Sequence, residues 1–404
     1  MTASFTWEAL PARVLCGRGY LDRVGDEVER LGARRVLLVG GGAATGAPLQ
    51  RVRSQLGDRV AEVIPDSAQH VPEVIAGQAV ERGRGAAIDA VVSVGGGSAT
   101  GLGKAVVLEL GVPLIAVPTT YAGSEMTPIH GRTRDGRKET GRDPRVLPRA
   151  VVYDPELCLG MPARLAGASG MNALAHCAEA LWVTTANPVT SALASEGIRC
   201  LVAGLPRVVS DPQDVDGHAE CLAGACMAGT ALAQVGTGVH HRTCHVLGGG
   251  WNLPHAETHG IVLPHAVALV SPRAPQAMER LAEVLGGEPA TALFELASSM
   301  ALPTALVDVG MPGDALDEAA DRVAVASEHD RIVDGPAHRP RRRRNARGRS
   351  RRGRRPSRRG ERARSPRRRP EPAARDARGR VPRQPAGPTP RRHTALTRSR
   401  RRRR

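Results

Sequence analysis

Aromatic side chains are scarce in this sequence: Phe, Trp and Tyr together supply eight of its 404 residues. Single-stranded nucleic acids bind on exposed rings against which their bases stack, so this scarcity argues against a nucleic-acid-binding platform. Long apolar runs are also missing, since no stretch approaches the roughly 18 uninterrupted apolar residues of a membrane-spanning helix. The N-terminus has no charged start followed by an apolar run, so we expect no signal peptide.

Paired cysteines are missing as well. The seven cysteines are odd in number, form no CxxC motif and are scattered through apolar segments. This pattern is typical of buried, reduced thiols rather than of a disulfide framework. The sequence therefore predicts a cytoplasmic protein.

The basic residues are unevenly distributed. The formal net charge is +17, but the 66 residues from Arg339 to Arg404 contain 30 Arg, no Lys and three acidic residues, a net charge of +27. The preceding 338 residues carry 27 basic and 37 acidic side chains, a net charge of −10. An acidic globular protein is thus followed by a basic tail, and a uniformly basic DNA-binding domain is excluded.

Three hypotheses account for the tail, which we place at residues 331–404. It is a nucleic-acid-binding extension that neutralises phosphates, a disordered regulatory segment, or an out-of-frame translation product. We favour the last. The chain has two Lys against 55 Arg, as expected of a GC-rich coding sequence, and a shifted frame in such DNA yields the Arg, Pro, Ala and Gly of the tail.

Strands alternate with helices in residues 1–154. Short apolar runs predict strands at 35–39, 60–64, 89–94 and 113–117, and the segments between them predict helices at 72–84 and 100–110. Alternation at this spacing is typical of βαβ units and a parallel sheet. An Asp135-Gly136 turn between polar arms, followed by the apolar run Ala150–Tyr153, predicts a hairpin that closes the domain.

Residues 155–330 have a different character. Ala- and Leu-rich segments separated by Pro or Gly predict helices at 162–184, 188–202, 216–233, 238–247, 258–270, 275–285 and 288–300. Asn187-Pro188 is a good helix start, because a capping residue precedes a Pro at the first helical position. We therefore expect an all-helical second domain.

Two glycine-rich segments follow predicted strands. Gly95-Gly96-Gly97-Ser98 stands between a strand and a helix, where glycine lets the backbone approach a pyrophosphate and the helix offers its first N–H groups. A tight strand–helix turn is the alternative. Gly40-Gly41-Gly42 is a weaker signal of the same kind. No acidic residue stands at that strand end to hold an adenosine 2′-hydroxyl, so NADPH is not excluded.

Histidines cluster late in the chain, where six of the 13 lie between residues 240 and 265. Several pairs have a spacing of four, which places both members on one helix face. These pairs are Asn172 with His176, His241 with His245, and His255 with His259. A single histidine is usually a core residue, but the clustering favours a functional site.

Taken together, the motifs resemble the iron-containing alcohol dehydrogenase superfamily and, within it, the maleylacetate reductases. The resemblance covers residues 5–325 and is carried by the segments 95–103, 118–128, 140–148, 169–176, 240–245 and 252–259. It implies a dehydroquinate-synthase-like fold, α/β plus all-α. In that fold an N-terminal nucleotide-binding α/β domain with a parallel sheet precedes a C-terminal helical domain, and the active cleft lies between them.

The resemblance also implies binding residues. The pyrophosphate loop of the family matches Gly95, Gly96, Gly97 and Ser98, and its second cofactor loop matches Thr119 and Thr120. Metal-dependent relatives bind iron or zinc through an Asp and three His, and these positions are Asn172, His176, His241 and His255 here. A neutral amide such as Asn172 is a poor ligand for a divalent cation, and maleylacetate reductases resemble this chain in carrying Asn there. We therefore expect no metal requirement.

The activity that the resemblance implies is reduction of the C=C bond of maleylacetate to 3-oxoadipate with NADH or NADPH, in the degradation of aromatic compounds. Negative charge then builds on the conjugated carbonyl oxygen of the substrate. We expect His241 and His245 to donate hydrogen bonds to this oxygen. His176 and His255 are expected to orient the substrate.

A dicarboxylate substrate also needs cationic partners, for which Arg242 and Arg132 are the candidates; a solvated helix face is the alternative for Arg242. Tyr121 either donates to the substrate or packs over the nicotinamide. The alternative activities are a metal-dependent alcohol dehydrogenase with iron or zinc and, in another class, a nucleic-acid-associated protein that acts through its tail. No membrane partner is expected, and family analogy suggests a homodimer.

Overall fold

The computed structural model describes residues 5–326, except residues 11, 43–44, 69–70 and 135–136. The basic tail predicted at 331–404 and the predicted Asp135-Gly136 turn lie outside the described residues. The described part of the chain belongs to one compact unit. The boundary between residues 154 and 155 therefore stays a prediction.

The N-terminal part of the described chain is an α/β structure. Its strands are β1 (Arg13–Cys16), β2 (Val36–Gly40), β3 (Val60–Ile64), β4 (Ala90–Gly95), β5 (Leu114–Pro118), β6 (Ile129–Arg134), β7 (Arg137–Arg142) and β8 (Ala150–Tyr153). Its helices are α1 (Val24–Arg30), α2 (Gly46–Leu56), α3 (Glu73–Gly85) and α4 (Gly97–Leu110). Six of the described strands form one parallel sheet in the order β1-β8-β5-β4-β2-β3.

The central strands of the sheet are buried on both faces. Every residue of β2, β4 and β5 is buried, as expected where helices cover both sides of a parallel sheet. Because side chains alternate along a strand, Val36 and Leu38 face one apolar cluster while Leu37 and Val39 face another. Continuous Val and Leu runs thus specify the sheet and its two helical layers.

The predicted hairpin is present, but its composition differs from the prediction. Strands β6 and β7 pair antiparallel on either side of residues 135–136. Ala150–Tyr153 is not part of this hairpin, and that element of the prediction is wrong. It is β8, which pairs in parallel with β1 and β5. A four-residue run that is buried throughout needs cover on both faces, which the main sheet provides and a hairpin does not.

The rest of the described chain is helical. Its helices are α5 (Ala163–Trp182), α6 (Pro188–Ser210), α7 (Val215–Val235), α8 (Val239–Trp251), α9 (His255–Val270), α10 (Pro275–Leu285), α11 (Pro289–Ser299) and α12 (Leu316–Ala326). Helix α5 lies at the centre, where it contacts α6, α7 and α9, and it is buried from Ala166 to Trp182. A helix that is apolar on all sides belongs in a core.

Small residues set the close approach of these helices. A Cβ atom on Gly170 would lie 2.0 Å from Cδ2 of Leu205 on α6, and a Cβ atom on Gly260 would lie 3.2 Å from Cβ of Met171. The predicted start of α6 is confirmed, because Oδ1 of Asn187 accepts the backbone N–H of Thr190 at 3.2 Å and Oγ1 of Thr190 accepts the backbone N–H of Asn187 at 3.1 Å.

The predicted fold class, a parallel α/β sheet followed by a helical part, is confirmed. Within the described ranges, no single helix is long and apolar enough to cross a membrane. One pair of helices, Val215–Val235 and Val239–Trp251, meets the length and composition criteria jointly but is bent by 99°.

Candidate active site

The sheet forms a crevice where its strand order reverses direction. Strands β2 and β4 are neighbours, but the chain leaves β2 toward β3 on one side and β4 toward β5 on the other. Ligands of open α/β sheets bind at the carboxyl ends of the strands that flank such a point. Those ends are Gly40-Gly41-Gly42 and Gly95-Gly96-Gly97, the two segments singled out from the sequence.

The first predicted cofactor loop is shaped by the absence of side chains. Gly95 has a φ of 152°, and a Cβ atom there would lie 3.0 Å from Cα of Gly41. Helix α4 begins directly after Gly96, and among the described residues no side chain caps its start. The N–H groups of the first turn and the positive end of the helix dipole therefore suit an anion such as a pyrophosphate.

The second predicted cofactor loop lies against the first. The backbone N–H of Thr119 donates to the carbonyl oxygen of Gly95 at 3.2 Å. Oγ1 of Thr120 would lie 3.0 Å from a Cβ atom on Gly96. The structure thus brings the two predicted cofactor loops together at one edge of the sheet.

A buried lysine fastens the helix that follows the first loop to the segment that follows the second loop, and the sequence did not point to it. Nζ of Lys104, on α4, donates to the carbonyl oxygens of Ser124 at 2.6 Å, Thr127 at 2.7 Å and Ile129 at 2.7 Å. Burial lowers the pKa of Lys104 to about 7, opposed by the nearby Glu125 carboxylate. The sequence did offer one signal, a single lysine inside an otherwise apolar helix. A lysine is rarely buried without partners.

Helix α5 links the cofactor loops to the histidines. The backbone N–H of Tyr121 donates to Oγ of Ser169 at 3.0 Å. Ser169, Asn172 and His176 follow one another at three and then four residues and so share one face of α5. The face that holds the second cofactor loop is therefore the face that carries the first predicted site residues.

The predicted histidines come together between α5, α8 and α9. The ring of His176 stacks on that of His241, with centroids 4.9 Å apart, and the ring of His245 lies 6.2 Å from His241 and 6.4 Å from His255. His259, which the sequence showed but to which no role was given, contacts His255 at 4.3 Å and His241 at 4.8 Å. We call these five residues, with His240, the histidine cluster.

The cluster has a buried side and a more open side. His176, His240, His241 and His259 are buried, whereas His245 and His255 are half-buried. Burial, and next the neighbouring imidazoles, lowers the pKa of His240 to about 4. The same causes hold the pKa of His176 and that of His259 well below the usual range. These three imidazoles are therefore neutral at pH 7.

Several buried polar atoms in this region have no hydrogen-bond partner among the described residues. They are Oδ1 of Asn172, Nδ1 of His176 and both ring nitrogens of His259. Buried polar groups are almost always hydrogen-bonded, because leaving one unpaired costs about 1–3 kcal/mol. Such a concentration of unpaired groups is typical of a site that holds water or a polar ligand.

A buried carboxylate completes the site, and the sequence reasoning missed it. Oε2 of Glu179 accepts from Nδ1 of His241 at 2.5 Å, and Oε1 accepts the backbone N–H of His240 at 2.8 Å. Burial raises the pKa of Glu179. The spacing of three residues from His176 to Glu179, on the same helix face, was the signal that could have identified it.

The remaining predicted residues have individual surroundings. Arg242 is half-buried on α8 beside His241. Arg132 lies on β6, where its guanidinium donates to Oε1 of Glu109 at 2.8 Å. The Tyr121 hydroxyl is buried and lies 2.5 Å from Nδ1 of His218. The role of Tyr121 as a donor to substrate stays a prediction, and it would require that the hydroxyl first leave His218.

Metal-ligating geometry is present only in part. His240, His241 and His259 have nitrogen atoms within 4.8 Å of one another. However, Nε2 of His240 is 3.1 Å from the carbonyl oxygen of His259, and Nδ1 of His241 is engaged by Glu179. At the four positions that match the ligand set of the metal-dependent relatives, an amide and three imidazoles supply no negative charge.

Comparison with known proteins gives two family matches along the chain. The family described as iron-containing alcohol dehydrogenase matches residues 11–155, and the C-terminal region of the Fe-containing alcohol dehydrogenase family matches residues 166–337. The maleylacetate reductase of Burkholderia cepacia is 46% identical over 319 residues, which make up 79% of this chain and 90% of that protein.

Solved structures agree with the sequence relatives. The crystal structure of maleylacetate reductase from Agrobacterium tumefaciens is 42% identical in sequence and has a TM-score of 0.77. The match covers 80% of this chain and 92% of that one. The sulfoacetaldehyde reductase of Bifidobacterium kashiwanohense, solved in complex with NAD+, is 20% identical with a TM-score of 0.75, over 82% of this chain and 96% of that one. At that identity the likeness is one of fold alone.

Proposed function

This chain belongs to the iron-containing alcohol dehydrogenase family, and we propose that it acts within it as a reductase of the C=C bond of 2-maleylacetate, yielding 3-oxoadipate. It is an oxidoreductase of the maleylacetate reductase kind. The observation that carries the proposal is the histidine cluster with its buried, unpaired polar atoms, beside which Asn172 stands where the resemblance gives metal-dependent relatives a carboxylate.

A nicotinamide cofactor fits the crevice of the sheet. Gly95 and Gly41 pack so closely that neither could carry a side chain without a clash, and the start of α4 has no side-chain cap, so backbone N–H groups line this edge of the sheet. The residues that would hold the cofactor are Gly95, Gly96, Gly97 and Ser98 at the pyrophosphate, with Thr119 and Thr120 beside them. When bound, the reduced nicotinamide supplies the hydride that adds to the electrophilic alkene carbon of the substrate.

The donor set lacks the carboxylate with which metal-dependent relatives bind their metal. Iron and zinc sites gain affinity from anionic ligands, whereas Asn172, His176, His241 and His255 supply none. The carboxylate of Glu179 is engaged by two donors of α8. We therefore propose a reaction that does not require a metal and derive no step through one.

The histidine cluster instead stabilises the charge that develops on the substrate. Hydride addition turns the enone into an enolate, whose negative charge lies on the conjugated carbonyl oxygen and whose other alkene carbon takes up a proton. His241 and His245 would donate hydrogen bonds to this oxygen. Asn172 and His176, whose buried polar atoms need partners, would orient the substrate together with His255.

The two carboxylates of the substrate need cationic or donor groups at the open side of the cluster. Arg242 follows His241 on α8 and would hold one carboxylate. Arg132 is paired with Glu109, so it would have to exchange this partner to hold the other carboxylate. The preference for NADH or NADPH, the cytoplasmic location and the homodimer stay predictions.

The proposed function is tested by the products of the purified chain. We expect oxidation of NADH or NADPH that depends on maleylacetate and yields one equivalent of 3-oxoadipate for each nicotinamide oxidised. Oxidation of simple alcohols with NAD+ or NADP+ under the same conditions, without reduction of maleylacetate, would favour the alternative of an alcohol dehydrogenase.

A further inference from the structure

Glu179 is an unusual residue for the centre of a helical core. It lies on α5, one turn after His176, and is fully buried among apolar helices. Burying a carboxylate is costly unless its oxygens accept strong hydrogen bonds. A buried acid that persists in such a place therefore needs partners that use both of its oxygens.

Both partners of Glu179 lie in the first turn of α8. Oε1 accepts the backbone N–H of His240 at 2.8 Å, and Oε2 accepts from Nδ1 of His241 at 2.5 Å. The residue at the start of α8, Gly238, has no side chain to cap the helix. The carboxylate thus acts as the N-terminal cap of α8 from a neighbouring helix, where the positive end of the helix dipole also favours its charge.

The same contact fixes the His241 ring. When Glu179 is ionised, Nδ1 carries the proton of this contact, so Nε2 is the ring nitrogen that Glu179 does not engage. Stacking on His176 at 4.9 Å, with planes 21° apart, restricts rotation of the ring further. Orientation of one imidazole is therefore set by two neighbours on a single helix, α5.

We infer that Glu179 is a positioning residue that aims Nε2 of His241 at the developing oxyanion of the substrate. This inference rests on the proposed function. When His241 also carries a proton on Nε2, the adjacent carboxylate compensates the charge of the ring, so the ring can donate to the substrate without a metal. Glu179 itself does not touch the substrate.

The chemistry of the contact makes Glu179→Gln the informative variant. A carboxylate accepts two hydrogen bonds at once, whereas an amide has one accepting oxygen and a donating NH2 group. If the amide oxygen of the variant accepts the backbone N–H of His240, its NH2 group faces His241, so Nδ1 can no longer donate there and the ring loses the carboxylate that compensates its positive charge. We expect kcat to fall roughly 10- to 100-fold, as for other residues that orient a reacting imidazole, with KM for NADH little changed. Glu179→Asp, which keeps two acceptors on a shorter side chain, should recover part of kcat.

The matched control is Glu196→Gln, the same chemical change on the exposed side of α6, where Glu196 pairs with Arg199; it should leave kcat unchanged. A second readout is the strongly downfield proton resonance expected of the short Nδ1–H bond. It should be present in the wild-type chain, absent in Glu179→Gln and His241→Ala, and retained in the control.

Each outcome decides one point. A wild-type kcat in Glu179→Gln would overturn the inference. So would the absence of the downfield resonance in the wild-type chain, a measurement that does not depend on whether a variant folds. The inference would also be overturned if the kcat of Glu179→Gln and of Glu179→Asp fell only in proportion to the fraction of protein that had not folded. A wild-type chain that shows the resonance but does not reduce maleylacetate would refute the proposed function instead.

Discussion

At the scale of single residues, the site is defined by charges that are present and absent in unusual places. Asn172 removes a negative charge from a position where metal-dependent relatives have one, whereas Glu179 brings a carboxylate into the core behind His241. Lys104 places a buried amino group against the carbonyl oxygens of the segment that follows the second cofactor loop. These three residues, rather than the histidines alone, give the site its distinctive chemistry.

The residue-scale prediction concerns Lys104→Met, which keeps the length of the side chain but removes its donors. The carbonyl oxygens of Ser124, Thr127 and Ile129 would lose their partner, at about 1–3 kcal/mol for each buried group left unpaired. We expect a lower free energy of unfolding in urea and a higher KM for the nicotinamide cofactor. An unchanged midpoint of unfolding together with an unchanged KM would show that Lys104 does not fasten α4 to the segment that follows the second cofactor loop.

The sequence predicted which residues come together where they recur at helical spacing, and it did not do so for isolated residues. His176, His241, His245 and His255 lie in one cluster because pairs four residues apart share a helix face. Glu179 and Lys104 are single charged residues in apolar helices, and their partners lie 61 and 20 or more residues away in sequence. The contact of Tyr121 with His218, 97 residues apart, likewise leaves no local pattern.

At the scale of elements, we propose that the cofactor binds to the loops and to the starts of the helices that follow them. Strand β4 ends at Gly95 and α4 begins two residues later, so the pyrophosphate loop has almost no length of its own. Its shape therefore depends on what its neighbours allow. Among the glycines of this loop without a positive φ, Gly96 has the least room for a side chain, because a Cβ atom there would meet Thr120.

The element-scale prediction is that Gly96→Ala raises KM for the nicotinamide cofactor while the fold is retained. A Cβ atom at Gly96 would lie 3.0 Å from Oγ1 of Thr120, so the second cofactor loop must shift by a few tenths of an ångström. Gly77→Ala is the matched control, because Gly77 is exposed in α3 and a Cβ atom there meets nothing. It should raise the free energy of unfolding by about 0.5–1 kcal/mol and leave KM unchanged. Equal KM values in the two variants would contradict the proposed cofactor loop.

Elements were predictable from the sequence where they are long or continuously apolar. The predicted strand Val60–Ile64 and helix Pro275–Leu285 match the structure at both ends. Strand β1 was missed because it has four residues, of which three are exposed at the sheet edge. Helix α1 has only seven residues and α2 begins with Gly-Ala-Pro, so neither shows a clear helical period. Helix α12 was also not predicted.

At the scale of the whole molecule, the histidine cluster couples the stability of the fold to pH. Burial lowers the pKa of His240 from 6.5 to about 4 and holds those of His176 and His259 well below their usual range. Between about pH 6.5 and pH 4 the unfolded chain therefore binds more protons than the folded chain at these positions, and their contribution to stability is lost as the pH falls. The raised pKa of Glu179 acts in the opposite direction.

We predict that His240→Gln flattens this dependence. For His240 the shift corresponds to about 3 kcal/mol between pH 7 and pH 4. Urea unfolding at pH 7, 6 and 5 should therefore show a smaller loss of stability in the variant than in the wild-type chain. His265→Asn, at an exposed position on α9, is the control and should show the wild-type slope. Identical slopes in all three proteins would mean that His240 is not neutral in the folded state.

The measurement that tests the account most directly is turnover of maleylacetate by purified chain that has been treated with a strong chelator and analysed for iron and zinc. If histidines and Asn172 replace the metal, the treated chain oxidises NADH or NADPH with maleylacetate at the untreated rate, and added Fe²⁺ or Zn²⁺ changes nothing. Loss of turnover on chelation, with recovery when either ion is restored, would contradict the account.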